Sequence, residues 1–180
     1  MQDWRGVLEE VIRERRGALV GYASLYVRDR SAAEDLVQEA VVRTFARRRT
    51  FTDARAAEGY VRQAIRTAFL DQARKDRTWR SRRHLVVGDP VAAGPEGPAS
   101  ASVDVRAALA ELSPRERACV VLRHFDDLTV PDIAGALGVG EGTVKRYLHD
   151  AAAKLRVSLG AEIDDEPTAP VLTIVPRRAS

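Results

Sequence analysis

The chain has 180 residues, 45% hydrophobic and 31% charged, which suits one domain or two small ones with packed cores. No apolar run approaches the ~20 residues needed to cross a bilayer, Met1 to Glu10 holds no apolar stretch of a secretory signal, and the single cysteine, Cys119, excludes an internal disulfide. Net charge is only +3, but Met1 to Val87 carries 19 basic residues against 12 acidic, Val103 to Arg156 eight of each, and the last 24 residues two basic and four acidic.

The pattern is helical nearly throughout. Leu19, Tyr22, Ala23 and Tyr26 share one helical face. Leu36, Val37, Ala40, Val41, Thr44 and Phe45 form a second apolar stripe, with Ser31 and Glu34 as an expected capping box at its start. A loop is expected from Thr50 to Ala57. A third stripe runs through Val61, Ala64, Ile65, Ala68 and Phe69.

That third helix has a second, basic face. Arg62, Arg66, Arg74, Lys75 and Arg77 project away from the apolar side, and "TWRSRRH", Thr78 to His84, continues the charge. Tyr60 and Trp79 add aromatic rings. Basic charge with interleaved aromatics suits a strand that is phosphate-bound and base-stacked. A solvated helix face, or an arginine-rich surface from a GC-rich genome, gives the same pattern; only Lys75, Lys145 and Lys154 are lysines.

The composition then changes. "LVVGDPVAAGPEGPASAS", Leu85 to Ser102, holds three prolines and three glycines and reads as a flexible linker. Its 18 residues could span up to ~60 Å, more than the ~34 Å of one duplex turn.

A second module follows, from 103 to 158. Ser113, Pro114 and Glu116 give a capping box with proline at the first helical position. Ala118, Val121, Leu122 and Phe125 are expected to line one face of that helix. Thr129 and Asp132 cap the next. "DIAGALGVGEGTVKRYL", Asp132 to Leu148, then reads as a helix-turn-helix. Ile133, Leu137, Val139 and Val144 supply apolar contacts, Ala134 is small at the close approach, and Gly138 suits a turn of positive φ. The second helix is expected from Glu141 to about Arg156, with Val144, Leu148 and Ala152 inward. Glu141, Thr143, Lys145, Arg146 and His149 stand outside, where the first turns of such a helix face base edges. Arg146 matches guanine and Glu141 a cytosine amino group; Lys145 and His149 suit phosphates. Residues 159–180 read as a disordered tail, with "VLTIV", Val171 to Val175, as a possible docking segment.

Read together, the modules carry a resemblance. "AAEDLVQEAVVRTF", Ala32 to Phe45, resembles region 2.2 of bacterial RNA polymerase sigma factors. "GYVRQAIRTAFLDQARKDR", Gly59 to Arg77, resembles regions 2.3 and 2.4, and Leu112 to Arg156 resembles region 4. The order and the linker are similar to the extracytoplasmic function (ECF) group of the sigma-70 family. The resemblance implies an all-α fold: two small helical domains, region 2 over 1–84 and region 4 over 103–158, joined by the flexible linker.

It also implies partners and roles. Asp35, Leu36, Val37, Gln38 and Glu39 match the segment that docks on the β′ clamp helices of core RNA polymerase; region 4 meets the β flap. The loop holding Phe51, Asp53 and Arg55 matches the loop that captures a flipped −10 base. Tyr60, Arg62, Arg66, Arg74 and Arg77 fall where the family follows single-stranded and duplex promoter DNA. The helix from Glu141 matches the −35 reader. An anti-sigma factor is a possible further partner. Tyr60 stands where tryptophan is frequent, Thr67 where asparagine is, and Gly140 where a serine cap is.

The alternatives are a stand-alone helix-turn-helix regulator and a structural adaptor. No Ser–His–acid set, Gly-rich phosphate loop or metal-ligand spacing involves His84, His124, His149 or Cys119. No catalytic residue, metal or cofactor is therefore expected, and the expected location is the cytoplasm.

Overall fold

A computed structural model describes residues 4–46, 51–83 and 101–159, with the backbone alone for 79–83 and 101–104. Every regular element among them is helical: α1 (Trp4–Glu10), a π-helical segment (Val11–Arg15), α2 (Arg16–Ala23), α3 (Arg30–Phe45), α4 (Ala54–Arg83), α5 (Ala101–Glu111), α6 (Pro114–His124), α7 (Val130–Leu137) and α8 (Glu141–Leu159). The chain divides into two compact units, Met1–Glu96 and Gly97–Ser180. Ala101 and Ser102, expected in the linker, open α5 instead. The rest of that stretch, His84, and the tail with Val171–Val175 lie outside the described residues.

In the first unit, α1 to α2 is helical without a break. An α-helix turns every 3.6 residues, so positions four apart drift around it. The wider π turn takes back that drift. Val7, Val11 and Leu19 therefore stay on one buried face, with Arg15 between them half-buried. Tyr22 and Tyr26 follow, with ring centroids 5.5 Å apart and hydroxyls 3.1 Å apart in the core. Tyr26 then meets Phe69 of α4 at 5.1 Å. Of the second and third stripes, Leu36, Val37, Ala40 and Phe45 of α3 are buried with Val61, Ile65, Ala68 and Phe69 of α4, while Val41, Thr44 and Ala64 are half-buried.

Two helix starts differ from the sequence reading. Asp29, not Ser31, caps α3: it has extended backbone and its Oδ1 accepts from Ala32 N at 2.7 Å. The carboxylate two residues earlier is the stronger acceptor, so Ser31 is already helical and Glu34 pairs with Arg30 at 2.9 Å. Asp53 likewise accepts from Ala56 N at 2.8 Å. The expected loop Thr50 to Ala57 thus ends at Asp53, and its second half is the first turn of α4.

The second unit is organised by three consecutive charged residues at the start of α6. Arg115 Nη1 donates to the Leu137 carbonyl at the end of α7, at 3.2 Å. Arg117 Nη2 donates to the Ala110 and Leu112 carbonyls, at the end of α5, at 2.8 and 3.1 Å. Glu116 completes the capping box with Ser113 and takes two bonds from Lys154 Nζ of α8, at 2.8 and 2.7 Å. One turn of α6 therefore grips the other three helices. Thr129 and Asp132 form the second capping box. Gly138 adopts φ +63°, and Val139 N–H donates back to Ala134 at 3.1 Å, closing the turn.

Two expected core positions differ. Phe125 is half-exposed, because it caps α6 and the chain turns back there, with Leu128 N–H on the Leu122 carbonyl at 3.0 Å. On α8 the buried positions are Val144, Ala151 and Leu155, with Ala152 and Leu148 half-buried. A step of three after Leu148 keeps the stripe facing inward; a step of four to Ala152 rotates past it.

Burial pushes the Glu116 carboxyl up, but the Lys154 and Ser113 hydrogen bonds outweigh that and hold it below the ordinary glutamate range. A carboxyl lowered on folding contributes stability that is present above its unfolded pKa and lost as pH falls through the folded one. Glu116→Gln is expected to destabilise the chain by about 1–3 kcal/mol near pH 7. It should also reduce the fall in stability below about pH 4.3. Thermal melts between neutral and acid pH check both.

Candidate nucleic-acid and protein interfaces

The second unit offers one cationic helix end. Gly140 begins α8, its carbonyl accepting from Thr143 N at 3.0 Å and Val144 N at 3.2 Å. This fixes the first turn, with Val144 buried beneath it. Glu141, Lys145, Arg146 and His149 are exposed and Thr143 half-buried. Among the described residues no ion pair engages Glu141, Lys145 or Arg146. Arg146 lies 5.6 Å from the Tyr147 ring centroid, which orders its guanidinium without consuming its donors. The five expected −35 residues thus stand together on the outer side of α8.

In the first unit the expected −10 residues separate into two groups. Arg55, Arg74 and Arg77 are exposed along α4, beside Lys75 of the same basic face. Arg62 is partly committed: it donates to Glu58 Oε1 at 2.8 and 3.2 Å and lies 5.0 Å over the Tyr22 ring. Arg66 does not project away from the core as expected; only 7% of it is exposed. Phe51 is also inside, 4% exposed, with Phe45 at 5.2 Å and Tyr60 at 5.4 Å. Asp53 is the cap of α4. Of Trp79 only the backbone is described.

Tyr60 is 44% exposed and opens onto a pocket of about 490 Å³. Arg43, Thr44, Ala46, Gln63, Ala64 and Thr67 complete its lining. Arg43 is held at its edge by Glu39 at 2.6 Å and Asp71 at 3.5 Å. A ring, an amide, two hydroxyls and a guanidinium are what an unstacked base with its phosphate needs. The sequence assigns none of Gln63, Thr44 and Arg43 to a site, Thr44 being read only as part of the second apolar stripe. The signal for Gln63 was its step of three from Tyr60 and four to Thr67; for Thr44 and Arg43 there was none.

The docking segment on α3 is also divided. Asp35, Gln38 and Glu39 are exposed, whereas Leu36 and Val37 are core. Gln38 and Val37 border an apolar groove of about 360 Å³ between α3 and the α1–π segment, flanked by Ile12, 51% exposed, and Val42, 62% exposed.

Among the described residues, no three His, Cys, Asp or Glu side chains cluster as metal ligands. Burial pushes the Cys119 thiol up to about 11, so it stays protonated and packed. Burial and then Arg123 push His124 down. No described helix is long and apolar enough to cross a membrane.

Comparison with known proteins adds four findings. The models "Sigma-70 region 2" and "Sigma-70, region 4" match residues 11–80 and 102–155. The RNA polymerase sigma-E factor of Streptomyces coelicolor is 36% identical over 160 residues, covering 85% of this chain and 86% of that protein. The ECF RNA polymerase sigma factor SigL of Mycobacterium tuberculosis is 31% identical over 154 residues, covering 81% and 85%. The fold is similar to the sigma factor RpoE, solved in complex with the anti-sigma factor NepR from Bartonella quintana. That match has a TM-score of 0.61 and 24% identity, and covers 86% of this chain and 96% of that one.

The two aromatic neighbours should respond differently to truncation. Phe51→Ala is expected to cost about 3–5 kcal/mol. Tyr60→Ala, on the open side, should cost less than half of that. Urea unfolding of the two variants checks the difference.

Proposed function

The chain belongs to the extracytoplasmic function group of the sigma-70 family, and on that premise we propose how its two units divide the work of starting transcription. As an RNA polymerase sigma factor it joins core polymerase, recognises the −35 and −10 promoter elements and assists melting of the DNA. Family membership sets aside the stand-alone regulator. The bond-making chemistry belongs to the polymerase, and this chain supplies none; its place of work is the cytoplasm.

In this reading the second unit, over 103–158, is the −35 reader and meets the β flap. Arg146 and Glu141, at the start of α8, address base edges, while Lys145 and His149 hold phosphates. Thr143, half-buried, sets the first turn against the groove.

The first unit, over 1–84, handles the −10 element. A flipped base stacks on Tyr60 in the 490 Å³ pocket, within reach of Gln63 and Thr67. Arg55, Arg62, Arg74 and Arg77 follow the backbone. Phe51 acts beneath the surface, where it supports the Tyr60 ring, and the exposed Asp53 fixes the helix start. The exposed face of α3, with Asp35, Gln38 and Glu39, docks on the β′ clamp helices, and the buried Leu36 and Val37 hold that face in place. An anti-sigma factor would compete for such surfaces. The observation that carries this reading is the pairing, on one chain, of a helix-turn-helix reader with a pocket built around an exposed tyrosine on a basic helix.

In run-off transcription with core polymerase and genomic fragments, the protein is expected to add new start sites. Asp35→Ala with Gln38→Ala should weaken polymerase pull-down while the fold persists. With randomised −35 DNA, Arg146→Ala should shift the selected sequence, and Lys145→Ala should lower binding evenly across sequences. An unchanged pull-down, or sequence shifts from Lys145 alone, would contradict these assignments.

A further inference from the structure

Glu58 is a carboxylate that the first unit encloses and flanks with two cations. It is 9% exposed and sits just past the first turn of α4. Its two oxygens have different partners. Oε1 accepts from Arg62 Nη2 at 2.8 Å and Nε at 3.2 Å. Oε2 faces Arg15 Nε at 3.8 Å, beyond hydrogen-bond reach, and that nitrogen is enclosed with no hydrogen-bond partner. Arg15 ends the π-helical segment, whose wider turn brings it to the buried side of its helix.

Arg62 is therefore fixed in two directions. Glu58 holds one edge of its guanidinium, and the Tyr22 ring lies 5.0 Å away against one face. Tyr22 is firmly seated: it is 4% exposed and meets Tyr26 both ring to ring and through the hydroxyls. Arg74, by contrast, meets Asp71 only at 3.6 Å, and its side chain is 69% exposed. An arginine loses rotamer freedom when it is ordered on binding, and one ordered in advance loses less. Arg15 adds a second condition. With it in place, the enclosed Glu58 keeps a counter-charge when Arg62 turns part of its own charge to a phosphate.

We infer that Glu58 is a positioning residue: it presents Arg62 already ordered to the promoter strand, and so strengthens the hold on DNA although its own charge repels DNA. This rests on the −10 role proposed above for Arg62. Glu58 itself contacts no DNA in it.

The test uses the full chain with core polymerase and fork-junction DNA that the wild-type holoenzyme selects from a randomised pool. Glu58→Gln keeps the size of the side chain and removes its charge; Glu58→Ala removes the acceptor as well. Were Glu58 only a neutralising neighbour, both changes would add net positive charge and tighten DNA binding. As a positioning residue its loss is expected to weaken binding roughly two- to tenfold, at least as much for the Ala variant, with polymerase pull-down unchanged. In an Arg62→Ala background neither change should weaken binding further, because no arginine remains to be positioned. Equal or tighter DNA binding by both Glu58 variants would overturn the inference. An equal loss in the Arg62→Ala background, or a loss matched by weaker polymerase binding, would make Glu58 merely structural and overturn it too. If Arg62→Ala alone bound DNA as wild type does, or the wild-type holoenzyme selected no DNA, the reading of Arg62 would fall and the inference with it.

Discussion

A protein built from short helices must satisfy both ends of every one. Each start leaves amide hydrogens unpaired and each finish leaves carbonyls unpaired. Here those groups are answered largely by charged and polar side chains. Asp29 and Asp53 cap α3 and α4, and Ser113 with Glu116 and Thr129 with Asp132 cap α6 and α7. Arg115 and Arg117 close the ends of α7 and α5. The last two matter most, because each links one helix to the end of another. A cation at a helix C-terminus also meets the negative end of its dipole. The second unit is consequently fixed in shape by its polar contacts as well as by its core. That fixed shape holds Glu141 to His149 in one presentation.

The sequence made these devices unequally legible. Apolar stripes at steps of three and four placed α3, α4, α7 and α8, because periodic burial is written directly into residue type. Gly138 and both capping boxes of the second unit were legible for a similar reason: each motif is local, with all partners within a few residues. Two signals misled. Ser31 and Glu34 had the spacing of a cap, but a carboxylate two residues earlier competed and won. Phe125 continued the α6 stripe, but the helix ended beneath it. Gripping contacts across the fold, such as Glu116 with Lys154, carry no local signature; nothing in the spacing of 38 residues announces them.

The candidate site shows the same division. The basic row on α4 was visible as a row, but its depth was not. Helical spacing alone placed Arg62 and Arg66 outside. In the fold Arg62 is braced by Glu58 and Tyr22, and Arg66 is packed. Phe51 and Tyr60 are nine residues apart and in ring contact, yet one belongs to the core and the other to the surface. Which of two touching aromatics faces outward depends on where the third ring, Phe45, lies. Sequence pattern cannot supply that, because it is a property of how α3 meets α4.

This arrangement bears on how selectivity can arise. The outer face of α8 offers only a handful of polar groups, and each good pairing with a base edge contributes about 1–3 kcal/mol of discrimination. The pocket beside Tyr60 offers a single stacking ring, an amide, two hydroxyls and a guanidinium. As the proposed readers, neither surface alone would reach the selectivity that a start site in a genome demands, where competing sites are numerous. Two weak readers on one chain do better, because binding by the first raises the effective concentration of the second. The gain is lost if either surface is loose, since a mobile side chain must be ordered on binding. If α8 and Tyr60 read DNA as proposed, the polar grips that fix α8 and the aromatic contacts that fix Tyr60 act on selectivity as well as on stability. In the proposed reading, a substitution away from the DNA-facing surfaces, at Glu116 or Phe51, would reach promoter selection through that route.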